Sequence, residues 1–514
     1  MWPGERRAGG VIKYRKQLTA LFLALGMVFS AALCRGIQPV RAKKQAGSDV
    51  VTLRVCNWEE YLDLGGWDEK ERIELENNVS IFGEQALYHD FEQWYYENYG
   101  QRVQVEYSCF GTNEDLYNQL SLGDVYDLVC PSDYMIMKLM AKDMLVPYSD
   151  AFFDVSQPHN YYVRGVSPYI RQVFEENEIN GESWSKYAAG YMWGVTGMLY
   201  NPDKVEEAEA GTWKLLGNPK YKCQVTIKDN VRDSYFAVLG MLKADLLTSN
   251  EFLSSADYGQ RLTEELNDVS TPTIQASEKL FQQIRGNIYS FETDSGKADM
   301  VSGKVVASYQ WSGDAVYAMD LAELDETYLS FAVPQECTNL FFDGWVMLKS
   351  GIEQDERKQH AAEAFVNFVS RSDNAIRNMY YIGYTSVIAG GPEDSTVFDY
   401  VNYCYGAEDG AGDTVEYPLG YFFSGDAEDS EYMLSTERQQ CKRQLFAQYP
   451  TADVISRSAI MGYYTDEKNV ELNQMWIHVR CFNLNQVPKP VWAAVLAAVL
   501  VLVILLIYKK LQKH

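Results

Sequence analysis

An α/β fold in two lobes is what this sequence predicts, and three observations predict it. Between residues 52 and 130 strand-like and helix-like runs alternate, strand–helix–strand–helix–strand, a pattern that requires a largely parallel sheet. The chain has 514 residues, more than one hydrophobic core holds. Hydrophobic residues make up 47% of it, enough for a folded body of that size.

Residues 52–57 form a strand that delivers Trp58-Glu59-Glu60-Tyr61. Residues 63–85 are polar and Glu-rich, an insertion expected to be partly exposed. Residues 86–99 form an amphipathic helix with Leu87, Phe91, Trp94 and Tyr95 on one face and Gly100 as its stop. Residues 103–107 alternate like a strand. In Phe110-Gly111-Thr112-Asn113-Glu114, Thr112 and Asn113 can cap a helix that Gly123 ends. Leu128, Val129 and Cys130 read as a buried strand, closed by Pro131, which has no N–H for the ladder. Ser132 and Tyr134 follow at the strand's carboxyl end, where open α/β sheets bind small ligands. The plainer alternative is that Ser132 caps the next helix and Tyr134 packs.

Residues 161–185 are mixed and cover the lobe. Residues 187–200 are aromatic and carry Gly190, Gly194 and Gly197, which suits a segment crossing between lobes. Residues 223–227 are a strand, and Asp229-Asn230-Val231-Arg232-Asp233 opens a helix that runs to about Lys243. Helices are expected over 260–267, 274–284 and 361–369, and strands over 305–310 and 329–333. The first of those strands delivers Trp311-Ser312-Gly313-Asp314. The run Thr338-Asn339-Leu340-Phe341-Phe342-Asp343 precedes a strand at 345–348, and residues 379–384 end in Ile-Gly-Tyr. Residues 406–431 are Gly- and acid-rich and read as a solvated loop; 466–481 look helical. No internal repeat is present.

The two ends differ from the body. Arg6, Arg7, Lys13, Arg15 and Lys16 precede an apolar run, so residues 1–34 read as an export signal or an N-terminal anchor. Leu33 directly before Cys34 argues against a lipid anchor. Residues 491–508 are apolar and uncharged and are followed by Lys509, Lys510 and Lys513. This predicts one membrane-spanning helix with its basic end inside and the body on the outer face. The expected division is lobe 1 at 50–190 and 335–395, and lobe 2 at 191–334 and 396–485.

Composition narrows the function. The formal charge is −26, from 45 Lys+Arg against 71 Asp+Glu, which excludes nucleic acid as a partner and favours cations. Aromatics reach 14%, with 37 Tyr and 11 Trp, suited to a ligand that rings can embrace. Nine cysteines and five histidines show no metal-ligand spacing. No G-x-S-x-G, phosphate loop or cofactor motif occurs, so no enzyme and no cofactor is indicated.

Aromatics and carboxylates recur together at strand ends: Trp58, Glu60 and Tyr61; Asp233; Trp311; Phe341 and Asp343; Tyr384. Such walls suit an organic cation. Stripping water from an ammonium costs several kcal/mol per ion. A desolvated cation–π contact returns about 2 kcal/mol, and a charge-assisted hydrogen bond about 1.5–3 kcal/mol. Each ammonium therefore needs a ring and a carboxylate together. The plainer readings are core packing for Trp58, Tyr61, Trp311 and Tyr384, a helix N-terminal charge for Asp233, and a turn cap for Asp343. Acid pairs and aromatics also suit a secreted carbohydrate-active enzyme or a sugar-binding module.

Eight segments, in order, carry a resemblance. They are residues 57–61, 110–114, Tyr126-Asp127 with Pro131-Ser132-Asp133-Tyr134, 191–194, Val231-Arg232-Asp233, Trp311-Ser312-Gly313-Asp314, 338–343 and Ile382-Gly383-Tyr384. Through them the chain resembles the spermidine/putrescine-binding proteins that serve ABC importers. The resemblance implies a two-lobe, hinge-closing fold of the periplasmic-binding-protein type, a polyamine ligand and an ABC permease as partner. It implies an aromatic box of Trp58, Tyr61, Tyr134, Trp311, Phe341 and Tyr384. It implies ammonium partners Glu60, Asp233 and Asp343, with Ser132 bonding near one end. Three departures stand out. Asn230 is where some members carry a second acid, Phe341 replaces a usual Trp, and Thr385-Ser386-Val387-Ile388 replaces Pro-Thr-Pro-Asn. The missing acid favours putrescine over spermidine, or a different cation.

Overall fold

The computed structural model describes residues 50–408 and 410–481. They build one twelve-stranded sheet with helices on both faces. Eight strands make its main path: β1 (Val50–Trp58), β2 (Arg102–Phe110), β3 (Leu128–Val129), β4 (Ala188–Tyr200), β5 (Val225–Lys228), β6 (Ile288–Glu292), β7 (Ala307–Trp311) and β8 (Thr338–Leu348). Their order is β6-β5-β7-β4-β8-β3-β1-β2.

Along this main path the sheet is parallel only at its two ends. β1 runs parallel to β2 and β3, and β5 runs parallel to β6 and β7. The middle is antiparallel: β3 with β8, β8 with β4, and β4 with β7. The expected largely parallel sheet is thus two parallel groups joined by two long crossing strands. β4 spans 13 residues and β8 spans 11, and every residue of both is buried. That explains their near-continuous apolar sequence, which has no polar-out alternation to read. Each parallel group with its helices forms one lobe of the expected two-lobe fold.

Local chemistry sets the helix ends. α1 (Leu87–Tyr99) buries Leu87, Phe91 and Tyr95 and stops at Gly100, whose φ of 67° suits a residue without Cβ. α2 (Asn113–Leu122) starts where the Thr112 hydroxyl oxygen accepts from the Asp115 amide at 3.0 Å, and ends at Gly123. α3 (Asp133–Ala141) follows β3, α4 (Val231–Leu242) follows β5, and α5 (Ser295–Val301) follows β6. α6 (Ser312–Glu323) follows β7 directly, and α7 (Ser372–Ile382) ends at Gly383. α8 (Asp466–Arg480) closes the described chain.

Several expectations need correction. Residues 406–431 are not a solvated loop: Thr414–Pro418 pairs antiparallel with Met433–Glu437, and Gly420–Phe423 is a buried helical turn. There Phe422 stacks on Trp193 with ring centroids 5.5 Å apart. The acidic composition belongs to the hairpin's outer face and hides these apolar anchors. The stretch 63–85 is partly exposed, as expected, and is tied down by the buried Asp63, whose carboxylate lies 2.6 Å from the Arg377 guanidinium. The strand expected at 345–348 is the end of the much longer β8. The fold class itself loses one part. Among the described residues no helix is long and apolar enough to cross a membrane, so the predicted membrane-spanning helix finds no support in the described fold. The stretch it was read from, 491–508, lies outside the described residues, as does the leader at 1–34.

Candidate functional site

The carboxyl ends of β1, β3, β5 and β7 converge on a cavity of about 330 Å³, with β8 crossing its floor. This is the crevice that open α/β sheets leave for ligands. All ten residues singled out from the sequence line it. β1 contributes Trp58 at its last position, with Glu60 and Tyr61 just beyond. Ser132 and Tyr134 come from the start of α3, Asp233 from the first turn of α4, and Trp311 from the last residue of β7. Phe341 and Asp343 come from β8, and Tyr384 from just past α7.

Asp343 does not cap a turn. It sits inside β8, where the pairing with β4 slips between Asp343 and Gly344. Such a bulge re-aims a side chain. The Tyr61 hydroxyl donates to its Oδ2 at 2.7 Å, and the Ser132 hydroxyl donates to its Oδ1 at 2.6 Å. Ser132 holds the N-cap position of α3 but makes no capping bond there. Burial pushes the Asp343 carboxyl up to about 6, against these two hydroxyl donors. Among the described residues no lysine or arginine pairs with it. The neighbouring Asp133 fixes the backbone around it, accepting from the Tyr134 amide at 2.6 Å and the Phe342 amide at 3.1 Å. Burial raises Asp133 to about 8.

On the opposite wall, Asn230 caps α4 by accepting from the Arg232 and Asp233 amides at 2.7 and 3.3 Å. Asn230 thus positions Asp233. The Trp311 indole N–H donates to the Asp233 Oδ1 at 3.3 Å. Burial also lifts Asp233 to about 6, with Lys228 and Trp311 acting against it.

Of the cavity residues that the sequence reading did not single out, three bear on a ligand. Asp314, in the first turn of α6, accepts from the Tyr384 hydroxyl at 3.2 Å. The Lys297 and Lys228 ammoniums stand 3.4 and 3.5 Å from its two oxygens. Burial works against its charge, but these lysines and Tyr384 hold its carboxyl below the usual range. Asp314 was visible in the Trp-Ser-Gly-Asp run. Lys297 lies on the short α5, which no periodicity announces. Asn339 lines the floor with a buried side-chain oxygen that has no hydrogen-bond partner among the described residues, and the Trp58 indole N–H is in the same position.

The rings form a connected wall. Tyr61 meets Tyr384 edge-on at 5.0 Å, and Phe341 meets Tyr384 at 6.3 Å. Trp58 leans on Phe110 at 4.7 Å. Two rings already carry a cation: Lys228 stands 3.9 Å from the Trp311 ring, and Arg232 4.4 Å from Tyr134. Glu60 stands exposed at the edge of the cavity, in the left-handed backbone region at φ 54°.

A sequence model of the bacterial extracellular solute-binding proteins matches residues 86–403 of this chain. The chain belongs to that family. Its members are described as extracellular solute-binding proteins. The chain is 25% identical over 284 residues to the putrescine-binding periplasmic protein PotF of Escherichia coli, a match covering 53% of this chain and 67% of PotF. Solved structures share the fold. The spermidine/putrescine ABC transporter substrate-binding protein PotD of Streptococcus pneumoniae superimposes with a TM-score of 0.52 at 20% identity, over 84% of this chain and 98% of that one. The TpPotD lipoprotein of Treponema pallidum gives 0.53 at 16% identity, over 84% and 99%.

Proposed function

We propose that this chain is the substrate-binding component of an ABC importer for polyamines, working outside the cytoplasm and handing its ligand to a membrane permease. Lobe 1 comprises residues 50–190 and 335–395, and lobe 2 residues 191–334 and 396–485, with the ligand held between them. The observation that carries the reading is Asp343. It is a buried carboxylate, held by two hydroxyls and walled by rings, with no cationic side chain paired to it among the described residues. A buried charge of that kind calls for a cationic ligand. An ammonium placed there gains a carboxylate from Asp343 and aromatic faces from Tyr61, Phe341 and Tyr384. Asp233 and Trp311 supply a second acid and ring on the other lobe, and Glu60 adds negative charge at the entrance. The methylenes between ammoniums lie along the rings, worth roughly 0.8 kcal/mol each when buried.

The test is thermal denaturation of the full chain with putrescine, spermidine and a panel of sugars. A true ligand at about 100 times its Kd adds roughly 2.7 kcal/mol and raises Tm by a few degrees. Asp343→Asn keeps the fold and loses the polyamine-induced shift, because the amide no longer balances an ammonium. A shift with glycans and none with polyamines moves the reading to a sugar-binding module. A polyamine affinity that stays within a few-fold in Asp343→Asn removes the carboxylate from its assigned role.

A further inference from the structure

The acids of this cavity are not equivalent. Among the described residues, Asp343 receives only hydroxyls, and Asp233 receives only the Trp311 indole within hydrogen-bond distance. Asp314 is occupied by the protein itself. On one side the Lys297 ammonium reaches Asp314 Oδ1 at 3.4 Å and is anchored to Asp294 at 2.6 Å. On the other the Lys228 ammonium, whose side chain is 1% exposed, reaches Asp314 Oδ2 at 3.5 Å. Lys228 is fixed behind the wall by Gln310 at 2.6 Å and the Thr293 carbonyl at 3.2 Å, and it covers one face of Trp311 at 3.9 Å. Only Lys297 of the two lines the cavity. Its ammonium stands against a carboxylate and 5.2 Å from the Tyr317 ring, a setting of the kind that a ligand ammonium requires.

We propose that Lys297 fills one ammonium position of the cavity with its own side chain, so that the site takes an α,ω-diamine and rejects a triamine. This rests on the polyamine reading above and adds its length selectivity. A diamine meets one acid with each end, Asp343 and Asp233. The third ammonium of a triamine finds Asp314 already neutralised and faces the Lys297 ammonium at close range, where like charges in a water-poor pocket repel. The cavity volume does not impose the choice. Asp314 is present, and its counter-charge is built in.

The experiment is isothermal titration of the full chain with 1,4-diaminobutane and with spermidine, for the wild type, Lys297→Met and Lys297→Arg. The wild type is expected to bind the diamine at least about tenfold more tightly than the triamine. Lys297→Met uncovers Asp314 Oδ1 on the cavity side, leaving Lys228 on Oδ2, and raises the triamine-to-diamine affinity ratio by about tenfold or more. Lys297→Arg keeps a cation against Asp314 and leaves the ratio near the wild-type value. A ratio unchanged in Lys297→Met overturns the inference and leaves polyamine binding standing. A wild type that binds the triamine as tightly as the diamine overturns it as well, whether or not the variants fold. A wild type that binds neither polyamine removes the functional reading and this inference with it.

Discussion

Asp343 and Asp233 answer to two opposed pressures, one from the fold and one from the ligand. Each is buried, and burial, only partly offset by the hydrogen-bond donors and cations around them, drives each carboxyl from 3.8 up to about 6. The folded protein therefore holds these protons more tightly than the unfolded chain does. Between about pH 4 and pH 6 the two groups make the unliganded protein more stable as pH falls, and this contribution is lost as pH rises through 6. Ligand binding runs the other way, since only the ionised acids attract an ammonium. Polyamine affinity measured by titration calorimetry at pH 7, 6 and 5 is expected to fall, approaching about tenfold per pH unit for each acid below its pKa. The Tm of the unliganded protein, compared with Asp343→Asn at the same pH values, is expected to show the opposite trend from this residue. An affinity flat from pH 7 to pH 5 rules out these carboxylates as the groups that hold the cation.

Among the elements, α6 shows how sequence builds the wall. Gly313 is its second residue, and a Cβ there would run into the ring of Tyr384. The bare backbone lets Tyr384 lie against the helix and hand its hydroxyl to Asp314. Gly313→Ala must displace that ring, an overpacking cost of about 1–3 kcal/mol. Polyamine affinity by calorimetry is expected to drop about tenfold, with the far-ultraviolet circular dichroism of a folded protein. An unchanged affinity means that Tyr384 is not a wall of the working site. The same scale explains what the sequence disclosed. Strand ends followed by capping residues are local features, so Trp58, Ser132, Asp233 and Trp311 could be placed near a crevice from their neighbours alone. The bulge at Asp343 could not, because it depends on register against β4, a partner about 150 residues distant in the chain. Lys297 was illegible for a like reason: its meaning comes from Asp314 on another helix, and a lone lysine in a short polar run carries no signal. The hairpin around Phe422 was missed because its composition advertises the exposed face while its anchors bury against Trp193.

For the whole molecule, the question is what holds the two lobes against each other when β4 and β8 are their continuous link. Tyr134 follows β3 in one parallel group, and Arg232 follows β5 in the other. The Arg232 guanidinium lies 4.4 Å from the Tyr134 ring and 3.9 Å from Tyr464, and it donates to the Gly462 carbonyl at 2.6 Å. It is a wedge between the two groups, and it is 5% exposed. Each such cation–π contact is worth about 0.5–2 kcal/mol, more when dry. The salt bridge from Lys142, just past α3, to Asp466 at the start of α8, at 2.6 Å, also joins the two sides, but its partners are exposed and it contributes little. Arg232 therefore biases the lobes toward closure before a ligand arrives, and a ligand touching both lobes adds to that bias. Arg232→Met is expected to shift the unliganded protein toward open forms, seen as a larger radius of gyration in solution scattering. Saturating polyamine should return it to the compact value. Apparent affinity should weaken by about the fraction of closed form lost, on the order of tenfold, because binding must now close the cleft as well. Equal radii for variant and wild type without ligand would show that closure is set by the crossing strands alone, leaving Arg232 as packing between two tyrosines.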